Sequence, residues 1–381
     1  MMLNFAGMIR KKFIALATAL VLAFGVGVSA LPSQASAAPG APSPDAVGKW
    51  TCNSAGDCQF KDNNGQLYRN FWALSGGKWY YLKSDGWMAR GPETGIDLAQ
   101  IGSSFYAFDR SGAMLTGWQS EKRGSSTLWY YFAADGRLLS EEKAYINGSW
   151  YIFGDPTLVT DYMDGYLFEG KEYRIPSSGA VVTGWYQEGT DWYYYGSDGA
   201  MYEEQWLQYN GKWYYFDANG IMLANTVRGL PGGNYYFDAS GAMYTGWEKD
   251  VEGAFTFWYY YGSNGVQYQD KWLYDNNKWY YFDIHGPMAD SGCRWTSGTA
   301  RYCFDSSGAM RSNGWYLYYG DWVYLGPSGN VYFGWHKIGG KWYYLDPDSN
   351  GEMVTGEFTI GSTTYVFDSS GAWTGRAFPD K

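Results

Sequence analysis

The sequence repeats itself. An aromatic run closed by a glycine turn recurs about every 22 residues, and Asp191–Gly220 holds two consecutive copies, DWYYYGSDG and KWYYFDANG. Aligned on the apolar residue that ends each run, fifteen copies fall at Phe60, Leu82, Phe108, Phe132, Phe153, Ile175, Tyr195, Phe216, Phe237, Tyr261, Phe282, Phe304, Leu325, Leu345 and Phe367. A unit this short cannot bury its own apolar face and must stack it on its neighbours, so the period points to an array or solenoid.

By length alone, 381 residues would suggest two or three ordinary domains. Composition sides with the repeat instead. Aromatics make up 21% of the chain, there are 52 glycines, and only 17% of residues are charged, which suits short strands and tight turns. Period two puts Trp213 and Tyr215 on one face of a strand and Tyr214 and Phe216 on the other. Asp217–Gly220 is turn chemistry, with glycine where φ must be positive. Each copy therefore reads as a β-hairpin made of the aromatic strand, this turn, and a second short strand that often ends Thr-Gly-Trp. The expectation is an all-β chain with strands of about four or five residues, almost no helix beyond the N-terminus, and a core built from the Phe/Leu position.

A longer period lies on top. FDRSGAM, FDASGAM, FDSSGAM and FDSSGAW, with the looser IPSSGAV, mark every third copy, and Trp118, Trp185, Trp247 and Trp315 follow four of these five. The fifteen copies thus group as five triplets.

The N-terminal segment reads as an export signal: Arg10, Lys11 and Lys12, an apolar run Phe13–Val28, and the small-residue cleavage site Ala35-Ser36-Ala37. An uncleaved membrane anchor is the competing reading. The organisation expected is a signal peptide over 1–37, an Ala/Pro-rich linker over 38–48, repeats over 49–376 and a tail over 377–381. Removing three basic residues takes the formal charge from −10 to −13, which disfavours nucleic acid and other polyanions. The four cysteines form two local pairs. Each brackets a plausible hairpin, so Cys52–Cys58 and Cys293–Cys303 are the economical disulfides among three connectivities in an exported chain. Neither pair has zinc spacing.

Sixteen tryptophans fall into eight pairs: Trp72/Trp79, Trp118/Trp129, Trp185/Trp192, Trp206/Trp213, Trp247/Trp258, Trp272/Trp279, Trp315/Trp322 and Trp335/Trp342. Six pairs are seven residues apart and two are eleven apart; the long ones enclose SEKRGSST and KDVEGAFT. In the hairpin frame above, one Trp closes a hairpin, the other opens the next, and the extra residues lengthen the turn between them.

These pairs resemble the choline-binding (cell-wall-binding) repeats of Gram-positive surface proteins, most closely at GWHKIGGKWYYLDPDSNGEMVTG and NGKWYYFDANGIM. The resemblance implies a left-handed β-solenoid with about three hairpins per turn. It also implies sites between successive hairpins, with two aromatics from one copy, a third from the next and a Met nearby. A quaternary ammonium cannot donate a hydrogen bond, so an aromatic cage recognises it by shape and π-faces, at about 0.5–2 kcal/mol per face, and many cages on one polymer add avidity. The implied role is a secreted, non-catalytic protein held non-covalently at the cell surface by choline or phosphocholine of wall or lipoteichoic acid. The alternatives are glucan binding, as in the related repeats of extracellular glucosyltransferases, and an adhesin or scaffold whose Trp pairs only pack.

Every third junction lacks the pair, which predicts two Trp-lined faces and one poor in sites, stapled at Cys293–Cys303. Lys143 stands where the first Trp belongs in the copy containing Trp150, so Trp150 is not expected to form a site and eight is an upper bound. The repeats leave no room for a catalytic domain, and no cofactor is implied. His285 and His336 have no nucleophile or metal partner within their copies. Asp346–Glu357 satisfies the spacing of a helix–loop–helix calcium loop, but the repeat accounts for each of its elements.

Overall fold

The structure is a computed structural model that describes residues 47–379 apart from 297 and 299. The export signal and most of the linker lie outside the described residues. Among those residues there is no helix, and strand pairs follow one another along the chain. By contact the chain divides into two compact units: residues through Ala144 with Tyr151–Val159, and Tyr145–Trp150 with Thr160–Lys381. The first contains the antiparallel pairs Lys49–Cys52/Cys58–Lys61, Phe71–Ser75/Lys78–Leu82, Ala99–Ile101/Ser104–Tyr106 and Gly117–Arg123/Ser126–Phe132. The second contains ten hairpins, from Tyr162–Phe168/Lys171–Ile175 to Gly356–Ile360/Thr363–Phe367. Strands Glu142–Ile146 and Ser149–Phe153 are divided between the units.

The hairpins are not framed as the sequence reading had them. The aromatic strand Lys212–Phe216 pairs backwards with Gln205–Tyr209, across Asn210-Gly211, and not forwards across Asp217–Gly220. Asn210 and Gly211 both have positive φ, at 49° and 76°, which is the two-residue turn whose twist matches that of a β-ribbon. The Asp217–Gly220 turn instead makes a single bridge, Phe216 to Met222. Both members of a Trp pair therefore lie in one hairpin; the pair does not join two copies.

The two long spacings are corrected in the same way. The extra residues extend the strands, giving seven-residue strands Gly117–Arg123 and Ser126–Phe132 around a two-residue turn, and likewise Gly246–Glu252 and Phe255–Tyr261. Two residues added to each strand is a whole pleat on each side, so no side chain changes face. Trp118 stays opposite Tyr131 as Trp185 stays opposite Tyr194.

The expected core is present. All fifteen residues of the Phe/Leu column are buried, from Phe60 at 7% exposure to Leu82, Phe132, Phe216 and Leu345 at 0%. Each such burial is worth about 1.5–3 kcal/mol. Successive copies are also tied through the backbone. The Met222 amide donates to the Trp192 carbonyl (2.8 Å), Met243 to Trp213 (2.7 Å) and Met288 to Trp258 (2.8 Å). The Met side chain then fills the space beneath the next turn. A Cβ on Gly241, where φ is +80°, would come within 2.3 Å of the Met222 methyl, so glycine is required there for conformation and for space.

The turn aspartates are caps. Asp217 Oδ1 accepts the amides of Asn219 (2.8 Å) and Ile221 (3.0 Å). In the every-third-copy signature a serine hydroxyl joins in, from Ser111 to Asp109 (2.6 Å) and from Ser240 to Asp238 (2.5 Å). Both disulfides form as expected, each between directly opposed residues. Asp346–Glu357 is flanked by strands Lys341–Asp346 and Gly356–Ile360, where a calcium loop of that type would need helices.

Candidate functional site

Trp185 and Trp192 show how a hairpin makes an open aromatic corner. Trp185 lies opposite Tyr194, and Trp192 lies opposite Gln187, two residues beyond Trp185. The two indoles are thus diagonal neighbours on one face. Their centroids are 6.2 Å apart and their planes stand at 81°. Five other pairs repeat this corner at 6.3–6.5 Å and 78–87°: Trp118/Trp129, Trp206/Trp213, Trp247/Trp258, Trp272/Trp279 and Trp335/Trp342.

The other two pairs differ. Trp72 is 5% exposed, inside a cluster with Ala89, Tyr106 and Phe108. Trp79 is half-buried and packs against that same cluster. Trp315 makes its close ring contacts with Tyr324 and Tyr343, while its partner Trp322 is exposed.

The next hairpin supplies a third ring, and this contact holds in all eight cases. The first Trp meets the next hairpin's Tyr at 4.8–5.1 Å: Trp72 with Tyr106, Trp118 with Tyr151, Trp185 with Tyr214, Trp206 with Tyr235, Trp247 with Tyr280, Trp272 with Tyr302, Trp315 with Tyr343 and Trp335 with Tyr365. At Trp185 the bridge residue, Met222, forms the fourth side; the residue in that position at Trp118 and Trp129 is Leu158. A cleft of about 770 Å³ is lined by Trp185, Trp192, Tyr214 and Met222, with Thr190, Asp191 and Ser240 at its edge.

The two tryptophans of an open pair do different work. Trp185 is half-buried and touches Tyr194, Tyr214 and Phe216. Its partner Trp192 keeps 37% of its surface exposed, and Trp129, Trp213, Trp258, Trp279, Trp322 and Trp342 keep 38–45%. An indole with a free face at the mouth of a corner has no packing reason to be Trp; a cation or a sugar ring would use that face.

The Trp-poor junctions are built otherwise. Arg174, in the hairpin before Trp185, has a side chain only 5% exposed and ion-pairs with Glu188 at 2.5 Å. Its guanidinium lies 4.3 Å from the Tyr186 ring and 6.0 Å from that of Tyr193. Burial opposes its charge, but Glu188 and the Tyr195 hydroxyl outweigh that and raise its pKa further. Arg301 stands in the slot that Trp213 fills elsewhere. It is 6% exposed, donates to the Asn350 carbonyl at 2.6 Å and lies 5.5 Å from the Tyr318 ring. Trp150, set aside on sequence, donates its indole N–H to the Ser197 carbonyl (2.8 Å) and packs on Tyr145.

Sequence reasoning missed the third and fourth walls by residue and missed both arginines. The Tyr was findable, since it always follows the second Trp position of the next copy. The true hairpin frame was also findable from Asn210-Gly211, Gly339-Gly340 and Asn276-Asn277 between paired tryptophans. Nothing local marks Arg174, whose partners come from the following hairpin.

A choline-binding repeat model matches residues 182–226 and 332–376, and a cell wall binding repeat model matches 72–88 and 270–288. No curated protein matches the chain. Among solved structures, the modular autolysin LytC from Streptococcus pneumoniae in complex with a synthetic peptidoglycan ligand is 24% identical, with a TM-score of 0.40, over 62% of this chain and 52% of its own. This chain therefore spans about half the length of that autolysin. The choline-binding domain of CbpL from the same organism is 27% identical, with a TM-score of 0.38, over 52% of this chain and 98% of its own. An alternansucrase in complex with isomaltononaose is 20% identical, with a TM-score of 0.28, over 66% of this chain and 19% of its own.

Proposed function

We propose that this member of the choline-binding (cell-wall-binding) repeat family is an exported, non-catalytic protein that attaches to choline-bearing wall polymers. The observation that carries the reading is the repeated corner: two indoles near perpendicular, an exposed outer face, and a Tyr from the next hairpin. Two perpendicular π-faces and a third ring converge on a small convex cation, with a thioether on the remaining side. Such a corner asks for no hydrogen-bond donor from its ligand, which suits a trimethylammonium group.

The repeats are binding modules, and the proposal extends this to the whole chain. Each cage is weak alone, and a polymer that repeats its choline groups would engage several at once. Among the described residues no helix is long and apolar enough to cross a membrane. In this reading attachment rests on the cages, with export supplied by the signal-like segment before Ala38.

The deciding experiment is an equilibrium titration with choline, read by tryptophan fluorescence, with dextran run in parallel. Saturable quenching by choline and retention on a tertiary-amine resin are the expected results. A flat response to choline with a dextran-dependent shift would transfer the sites to glucan. Silence to both would make the pairs packing elements.

A further inference from the structure

The cage nearest the C-terminus differs from the interior ones. Its corner is Trp335 and Trp342, at 6.5 Å and 78°, and its third ring is Tyr365, at 5.0 Å from Trp335. The position that holds Met222 or Met243 in interior cages is occupied here by Trp373, which bridges Phe367 as Met222 bridges Phe216. Trp373 lies 5.8 Å from Trp335 and 6.2 Å from Tyr365, with interplanar angles of 72° and 69°. Its indole N–H is tied to the Arg376 carbonyl at 3.0 Å, and its strand, Trp373–Pro379, pairs with Thr363–Phe367. The ring is therefore held in place.

Trp335, Trp342, Tyr365 and Trp373 together line a cavity of about 280 Å³, much smaller than the cleft at Trp185, and no other described residue lines it. A thioether offers polarisability but no quadrupole, whereas an indole offers a fourth π-face. With only ring carbons facing the cavity, a primary ammonium would lose hydration there without gaining an acceptor, while a quaternary ammonium has no donor to satisfy.

We infer that Trp373 makes this cage the highest-affinity quaternary-ammonium site of the chain, and the one that most strongly rejects primary amines. The inference rests on the cage reading above and adds a rank order that the reading does not supply. Because Met fills the same slot at Trp192, Trp213 and Trp258, Trp373→Met converts the cage to that type, at the loss of the ring contacts and of the bond to the Arg376 carbonyl.

The test uses the full chain carrying 5-fluorotryptophan, followed by 19F NMR during titration with tetramethylammonium chloride, with methylammonium chloride as the contrast. The Trp373→Met spectrum identifies the Trp373 resonance. Trp373 should respond at the lowest tetramethylammonium concentration of any indole and not to methylammonium at that concentration. Trp373→Met should weaken the tightest binding by about three- to tenfold, the worth of one π-face. Hydroxyl-radical footprinting of the unsubstituted chain, read by mass spectrometry, repeats the ranking without a variant, through protection of Trp342 and Trp373. If other indoles respond first, or methylammonium competes equally, this inference fails while the cage reading stands. If no indole responds to tetramethylammonium at any concentration, both fail.

Discussion

Two neighbouring junctions show what the aromatic repeat can be used for. Between Gly184–Tyr195 and the next hairpin, Trp185, Trp192 and Tyr214 leave an open cleft. One junction earlier, the rings of Tyr186 and Tyr193 are already engaged by a cation, the guanidinium of Arg174. The scaffold is shared: the same two-strand hairpins, the same buried column through Ile175, Tyr195 and Phe216, the same inter-copy bond to the bridge residue. The difference is what meets the rings. At Arg174 the chain supplies a guanidinium, with Glu188 as its counter-ion; at Trp185 the rings face an open cleft, which under the proposed function takes its cation from outside. Side-chain choice on one scaffold thus decides which junctions are filled from within.

The sharpest test separates packing from binding within one pair. Trp185→Ala removes a half-buried ring that contacts five others, and should cost about 2–3 kcal/mol, read as a lower urea midpoint. Next in size is Arg174→Ala. It leaves Glu188 without its partner and empties a buried seat, at about 2 kcal/mol, less than a fully buried pair because Glu188 is half exposed. Ethylguanidinium at millimolar concentration should recover part of that loss and leave the unsubstituted chain unmoved; equal effects on both would erase the contrast between the junctions.

Gly241→Ala should cost about 1–2 kcal/mol, since φ is +80° and the end of the Met222 side chain must shift. It tests whether the Met under the turn holds the copies in step. Trp192→Ala, by contrast, should change the urea midpoint by less than about 1 kcal/mol, as an exposed ring does, yet remove the choline response of its cage. A stability loss as large as that of Trp185→Ala would show that the outer indoles pack.

The smallest expected effect is electrostatic. Burial works against the charge of Asp238, but hydrogen bonds from the Ser240 hydroxyl and the Ser240 and Ala242 amides outweigh it and hold its carboxyl below the usual range. Asp305 is held down in the same way. A folded pKa below the unfolded value means the stabilisation is fully present above about pH 4, the unfolded value, and is lost as pH falls through the folded one. Ser240→Ala should therefore lower the urea midpoint slightly at neutral pH, read by tryptophan fluorescence, and the difference from the unsubstituted chain should vanish as pH falls through the folded pKa of Asp238.

Much of the molecule was legible without coordinates, because much of it is local. Alternation along Trp213–Phe216 placed the column residue in the core, turn chemistry explained Asp217 and Gly220, and proximity in sequence paired Cys293 with Cys303. The hairpin frame was misread because every aromatic strand is flanked by two good turns, Asn210-Gly211 before it and Asp217–Gly220 after it. Alternation cannot tell a turn that closes a full ladder from one that makes a single bridge. The signal was the positive φ demanded at two consecutive residues, which Asn-Gly meets and Asp-Ala does not. The burial of Trp72 was hidden for a different reason: the spacing of Trp72 and Trp79 is that of an open pair, and the cluster around Ala89, Tyr106 and Phe108 comes from residues beyond that hairpin.

By itself, then, the sequence determined the period, the buried column, the capped turns, the disulfides and the pairing of tryptophans, all set by residue alternation and contacts within one copy. Only the tertiary structure decided which ring of the next hairpin closes each corner, that Arg174 fills its own seat, and that Trp373 replaces a Met wall. Those contacts join residues from different copies, and they exist only once backbone bonds such as that from Met222 to Trp192 hold successive hairpins in register.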